Sequence, residues 1–294
     1  MPPLWYFAFL VGFLTLSLAG ALFALSVLWT GVHLVAFPAN GAATTAPVPP
    51  RKRFRPWAFN LGIGLLWFTV AAFLVSLIAR TVASQAPPMA TMWGYFVSMA
   101  FAMTLFAGCF GLRYREPAIP LLIAGVVLIG LASSERYFTS AISPLIPALQ
   151  ANRILTVHVS TMTLAYGLIT TAGTASVAYL LKSYWPWLPG LPSADKAYRI
   201  AHHASILALP VLTLGVALGA YWANSAWGRY WGWDPKETMS LITLLTLVEY
   251  MHMQGLRKWR GRRASWVLVI SFGTIVFNMA AVNFWVVGLH SYAR

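Results

Sequence analysis

The sequence predicts an all-α, polytopic integral membrane protein of about eight transmembrane helices, with both termini on the outer (periplasmic or lumenal) side. Three observations carry that prediction. Hydrophobic residues make up 59% of the 294 and charged residues only 9%, against about a quarter in a soluble globular chain, and the mean hydropathy is +0.70. Apolar runs of roughly 18 or more residues recur along the whole chain, each bounded by charge or by Pro and Gly, and such runs are long enough to cross a bilayer. The Lys and Arg residues fall between the runs, fourteen on one set of alternate loops and six on the other, which puts the first set in the cytoplasm.

The first run covers 5–35. No charge precedes Arg51 and there is no basic n-region, so it is expected to span the membrane, inserted N-terminus outward, rather than to be a cleaved signal peptide. Pro38 to Pro50 is a Pro/Ala/Thr stretch that ends in Arg51, Lys52, Arg53 and Arg55, which gives a cytoplasmic basic linker over 38–56. The second run, 57–79, stops at Arg80, and the third, 91–112, stops at Arg113. The fourth covers 117–134 and the fifth 154–181, after which Tyr184 to Pro192 reads as an interfacial turn rich in Trp and Pro. The sixth covers 200–222, the seventh 238–256, up to the basic cluster 257–263, and the eighth 265–288. All of 1–294 is thus one membrane domain.

A formal net charge of +14 would point to nucleic acid in a soluble protein. Here the charges sit beside spanning runs as topological anchors, so no nucleic-acid partner is expected. Cys109 is the single cysteine and lies inside an apolar run, where it reads as a small core residue. The chain can therefore form no intrachain disulfide, CxxC redox pair or cysteine metal site. With no CxxCH it is not itself a c-type cytochrome.

Between the sixth and seventh runs, Trp222, Trp227, Tyr230, Trp231 and Trp233 fall within 12 residues, with Gly228 and Gly232 among them. An interfacial belt places a Trp or two at a helix end; this density also suits a flat apolar platform for a large planar ligand. Asp234-Pro235-Lys236-Glu237 reads as a helix start, with Asp234 as N-cap, Pro at the first position and Glu three residues after the cap. Lys236 and Arg229 are left over by that account and could pair with a ligand carboxylate.

The segment WGRYWGWDPKETMSLI resembles the tryptophan-rich WWD signature of the CcsA/ResC family of System II cytochrome c biogenesis, within a wider haem-handling family that includes CcmC and CcmF. LQANRILTVHVSTMTLAYG with His158, LGAYWANSAWG, and the C-terminal NFWVVGLHSYA with His290 agree with it in order and spacing, so the resemblance covers about 150–294. It implies a haem-handling portion in which His158 and His290 are the axial ligands of an outer haem, with Trp222, Trp227, Trp231, Trp233 and Asp234 around it. Position alone allows the same ligation, because two neutral imidazoles on separate helices can fill both axial sites of an iron.

His252 lies deeper, in the inner half of the seventh run. The resemblance makes it an inner haem ligand, although the family pattern Leu-His-Thr-Arg reads Met251-His252-Met253-Gln254 here. Glu249, one turn earlier, could hydrogen-bond it; a buried polar pair that merely joins helices is the competing reading. His202 and His203 open the sixth run at the cytoplasmic surface, where headgroup contact explains them. His33, near the inner end of the first run, and His202 are further possible partners for His252.

The expected function is cytochrome c biogenesis. Haem b would be held near His252, then presented at the outer face between His158 and His290 for attachment to the CxxCH of apocytochrome c. The resemblance implies a CcsB/ResB-like membrane subunit and residence in the cytoplasmic (inner) membrane, or a thylakoid membrane in a photosynthetic host. No residue is an evident acid, base or nucleophile, so catalysis would be positioning, and whether the chain counts as an enzyme depends on the haem lyase complex it joins. A haem exporter of the CcmC type and a non-catalytic haem-pathway regulator are the alternatives.

Overall fold

The structure, a computed structural model, describes residues 2–32, 56–142 and 153–284. Eight α-helices follow one another: α1 (Leu4–Val32), α2 (Pro56–Ser84), α3 (Met92–Tyr114), α4 (Ala118–Tyr137), α5 (Arg153–Tyr184), α6 (Ala194–Trp227), α7 (Pro235–Gly255) and α8 (Arg262–Phe284). A 3₁₀ turn, Pro88–Ala90, precedes α3, and there is no strand among the described residues. The linker expected at 38–56, up to residue 55, and His33 lie outside the described residues.

Helices α1 to α6 are long and apolar enough to cross a membrane. They also carry Leu14, Leu18, Phe68, Ile78, Ile129 and Leu214 exposed, apolar surface of the kind a membrane covers. The chain is a multi-pass, all-helical membrane protein. Helix α7 is less apolar: it begins with Lys236 and Glu237 and carries Glu249.

Small residues and hydroxyls join the helices, as lipid-embedded packing favours. The Thr15 and Thr69 hydroxyls meet at 2.9 Å between α1 and α2, and those of Thr243 and Thr274 at 2.8 Å between α7 and α8. The α5–α6 seam is the most extensive. Gly215 and Gly219 lie on it one turn apart; a Cβ on Gly215 would stand 2.6 Å from Met162 Sδ and one on Gly219 2.5 Å from His158 Cε1.

Two expectations change. Cys109 is exposed on α3 rather than in the core, since its helix turns that side toward the lipid. Arg80 does not anchor a loop: α2 continues past it to Ser84, and Arg80 is 2% exposed against the edge-to-face Trp5–Trp93 pair, 4.5 and 4.8 Å from the ring centroids. It donates to the carbonyls of Ser140 at 2.8 Å and Ala141 at 3.5 Å and to Thr91 Oγ1 at 3.3 Å, while Thr91 caps α3. Tyr6 donates to Glu135 at 3.1 Å, and Trp93 Nε1 also donates to Glu135. Two indoles, three acceptors and the end of α4 are thereby tied to one cation. The expected turn after Tyr184 is present, closed by Lys182 Nζ donating to the carbonyls of Pro186 at 3.0 Å and Leu188 at 2.5 Å.

Candidate functional site

Up-and-down alternation brings the start of α5, the end of α6, the start of α7 and the later part of α8 to one end of the bundle. A cavity opens there between the helices. The 3₁₀ turn and α3 contribute Met89, Met92 and Tyr95; α5 contributes Leu155, His158, Val159, Met162 and Tyr166. Opposite stand Val216, Gly219 and Trp222 of α6, Trp231, then Lys236, Glu237 and Ser240 of α7 and Asn278 of α8.

His158 sits in the second turn of α5 and is held by α6. Its Nδ1 lies 2.8 Å from the Gly215 carbonyl oxygen. A carbonyl only accepts, so Nδ1 carries the proton and Nε2 the lone pair, the tautomer that a metal-ligating histidine adopts when a second group orients it. Gly219 lets the ring lie against the α6 backbone.

The aromatic segment is shorter as a loop than the sequence suggests. Helix α6 runs through Trp227 and stops at Gly228, whose φ of 73° gives the left-handed cap and whose N–H donates to Asn224 at 3.0 Å. The tryptophans form two edge-to-face pairs rather than one flat sheet. Trp222 and Trp227 have centroids 4.7 Å apart at 71°, Trp231 and Trp233 5.9 Å apart at 90°. Trp222 and Trp231 line the cavity. Trp227 packs behind, against Trp222 and Leu155, while Trp233 is exposed at φ 57°.

Asp234 is the N-cap of α7, accepting from Lys236 N–H at 3.0 Å within a complete capping box. Glu237 closes it, accepting from Gly232 N–H at 2.8 Å and Asp234 N–H at 3.1 Å. These two carboxylates fix the Trp231-Gly232-Trp233 turn to the helix. Asp234 thus reaches the site through the backbone, and Lys236 lies in the cavity wall.

His290 lies outside the described residues; α8 runs toward the cavity end, with Asn278 in its wall. His252 is in the last turn of α7, at the opposite end of the bundle, and exposed. Glu249 is exposed too, and no hydrogen bond joins the two. His202 Nδ1 meets the buried Tyr250 hydroxyl at 3.3 Å instead, and His203 hydrogen-bonds Tyr114. Helices α6 and α7 do pack at that end, with Tyr198 donating to Gln254 at 2.5 Å, but Tyr250 and His252 point about 200° apart around α7 at 100° per residue. His202 therefore does not face His252.

The sequence reading passed over Tyr166, Ser240, Asn278 and Gly219 in the cavity wall, and Gly215, which meets His158 on the α5–α6 seam. The two glycines have a signal in the sequence, a G-x-x-x-G inside an apolar run; the other three belong to separate helices and have none.

A family model described as "Cytochrome C assembly protein" matches residues 57–290. The CcsA cytochrome c biogenesis protein of Synechococcus elongatus is 28% identical, over 90% of this chain and 91% of that one. The CcsA protein of Chlamydomonas reinhardtii is 36% identical over 51% of this chain, and that match spans only 43% of the algal protein. Among solved structures, "Cytochrome c Heme Lyase CcmF" superposes with a TM-score of 0.61 at 18% identity, covering 92% of this chain and 46% of that one, a likeness of fold. The chain belongs to the cytochrome c assembly protein family, and within it to the CcsA cytochrome c biogenesis proteins.

Proposed function

We propose that this chain binds haem b in the cavity and presents it for covalent attachment to the CxxCH of an apocytochrome c, with a CcsB/ResB-like membrane subunit. The observation that carries the reading is His158: an imidazole whose tautomer is set by the Gly215 carbonyl at 2.8 Å, in the wall of a cavity lined by Trp222 and Trp231. His158 Nε2 would be one axial ligand and His290 the other. Trp222 and Trp231 give the macrocycle apolar walls, and Asp234 with Glu237 hold the Trp231 turn in place. In the attachment each cysteine S–H adds across a vinyl C=C: a C–S bond forms, the π bond is lost, the hydrogen ends on the terminal vinyl carbon, and no net electrons move. The chain's part is to orient the reactants.

The cavity end is taken as the outer face, which gives eight spans with both termini outside and makes the membrane the cytoplasmic one, or a thylakoid. His252, exposed near the inner rim, would then receive haem at a surface that the partner subunit covers. The test is the absorption spectrum of the detergent-purified protein, alone and with its partner, before and after dithionite. The expected result is a low-spin reduced spectrum lost in His158→Ala and in His290→Ala and partly restored by added imidazole. A wild-type protein that carries no haem in either form would overturn the reading.

A further inference from the structure

The cavity has one polar wall, and its hydrogen bonds run in a determined direction. Ser240 donates its hydroxyl proton to the Lys236 carbonyl at 2.7 Å. Ser240 Oγ therefore accepts from the Tyr166 hydroxyl at 3.4 Å, and that single proton is used. Tyr166 can then only accept from Asn278, which places Asn278 Nδ2 toward it at 3.2 Å and settles which way the amide points. Asn278 is 6% exposed, and its Oδ1 is buried without a hydrogen-bond partner among the described residues. An orphaned carbonyl oxygen in an apolar surround costs about 1–3 kcal/mol, so it marks a place where a ligand donor fits.

What the described residues leave unsatisfied is the Oδ1 acceptor, with a second Nδ2 proton on the same carboxamide. An ammonium satisfies only the acceptor and an ionised carboxylate only the donor. A neutral carboxyl satisfies both, its O–H donating to Oδ1 and its C=O accepting from Nδ2. Tyr166 lies eight residues beyond His158 on α5, about 12 Å deeper at 1.5 Å per residue. A macrocycle ligated by His158 would extend an edge toward it.

We infer that Asn278, held by Tyr166 and Ser240, is a carboxyl-recognising subsite that takes a propionic acid group of the bound haem; this rests on the haem reading above. Haem b carries its two propionic acids and its two vinyl groups on opposite halves of the ring. Binding the acid edge in the depth of the cavity turns the vinyl edge toward the Trp231 loop, where cysteine thiols can reach it. The subsite thereby decides which edge is presented.

The experiment is an equilibrium titration of the purified protein with haem and with haem dimethyl ester, which keeps the ring, iron and vinyls but has no acid proton. Wild type is compared with Asn278→Leu and Tyr166→Phe. Asn278→Leu is expected to weaken haem about tenfold while leaving the ester unchanged, so that the two ligands become equal. Tyr166→Phe removes one oxygen, serves where the Leu variant does not fold, and is expected to act in the same direction. Equal losses for both ligands would make Asn278 a structural residue, and no loss for either would mean that water serves Oδ1; both results overturn the subsite. If wild type binds neither ligand, the haem reading itself fails, an outcome distinct from those two.

Discussion

His158 Nδ1 and the Gly215 carbonyl oxygen stand 2.8 Å apart across the α5–α6 seam. One backbone acceptor on a neighbouring helix thus selects the imidazole tautomer, and the same helix supplies the clearance: a Cβ at Gly219 would come within 2.5 Å of His158 Cε1. The seam therefore carries both the chemistry and the position of the proposed ligand.

Gly219→Ala should displace that ring. Overpacking of this kind costs about 1–3 kcal/mol, and the expected result is a haem occupancy lowered about tenfold or more. Gly64→Ala is the control, because its Cβ would meet nothing within 4 Å. The Soret absorbance per protein measures both; equal occupancy in the two variants would contradict the seam's role.

Asp234→Asn and Asp234→Ala separate a cap from a charged ligand contact. Asn caps as well as Asp, whereas Ala costs about 1 kcal/mol. With Asp234 accepting from Lys236 N–H at 3.0 Å, Asn is expected to keep haem binding and cytochrome assembly and Ala to impair both. Equal damage from the two would show that the charge itself is used.

Arg80→Ala should lower the unfolding temperature more than any other single charge removal. It strands the Ser140 and Ala141 carbonyls and Thr91 and removes the cation packed against the Trp5 and Trp93 rings, a loss of about 2–4 kcal/mol. Arg80→Lys recovers little, since an ammonium lacks the fork of donors that reaches both carbonyls and Thr91. Tryptophan fluorescence during thermal unfolding in detergent gives the comparison, and a shift no larger than that of Arg136→Ala would count against it.

The tryptophans should divide by position. Trp231→Leu is expected to weaken haem binding with little change in stability, because Trp231 lines the cavity. Trp227→Leu is expected to do the reverse, since Trp227 packs on Trp222 and Leu155. Trp233 is 69% exposed, and Trp233→Leu should change neither. Paired haem titrations and unfolding scans would show whether this order holds.

The spanning helices were legible because hydropathy is a local property, and their ends were misjudged where polar residues continue a helix. Helix α6 is the main case: the sequence reading stops at residue 222, while Asn224 and Ser225 stay helical and Gly228 makes the stop. The Asp234 cap was legible in full, since a capping box is written within four residues. Tyr166, Ser240 and Asn278 were not, because no spacing in one dimension announces that three helices will bring them together.

By itself the sequence determined the membrane class, the order of the helices, the α7 cap and the histidines worth suspecting, all of which follow from composition and short-range pattern. Only the tertiary structure decided that His158 takes its orientation from Gly215, that Arg80 is buried against two indoles, that His202 faces Tyr250, and that one carboxamide oxygen in the cavity wall is left without a partner among the described residues. Those outcomes depend on which helix faces meet, and that is set by small residues and side-chain volumes far apart in the chain.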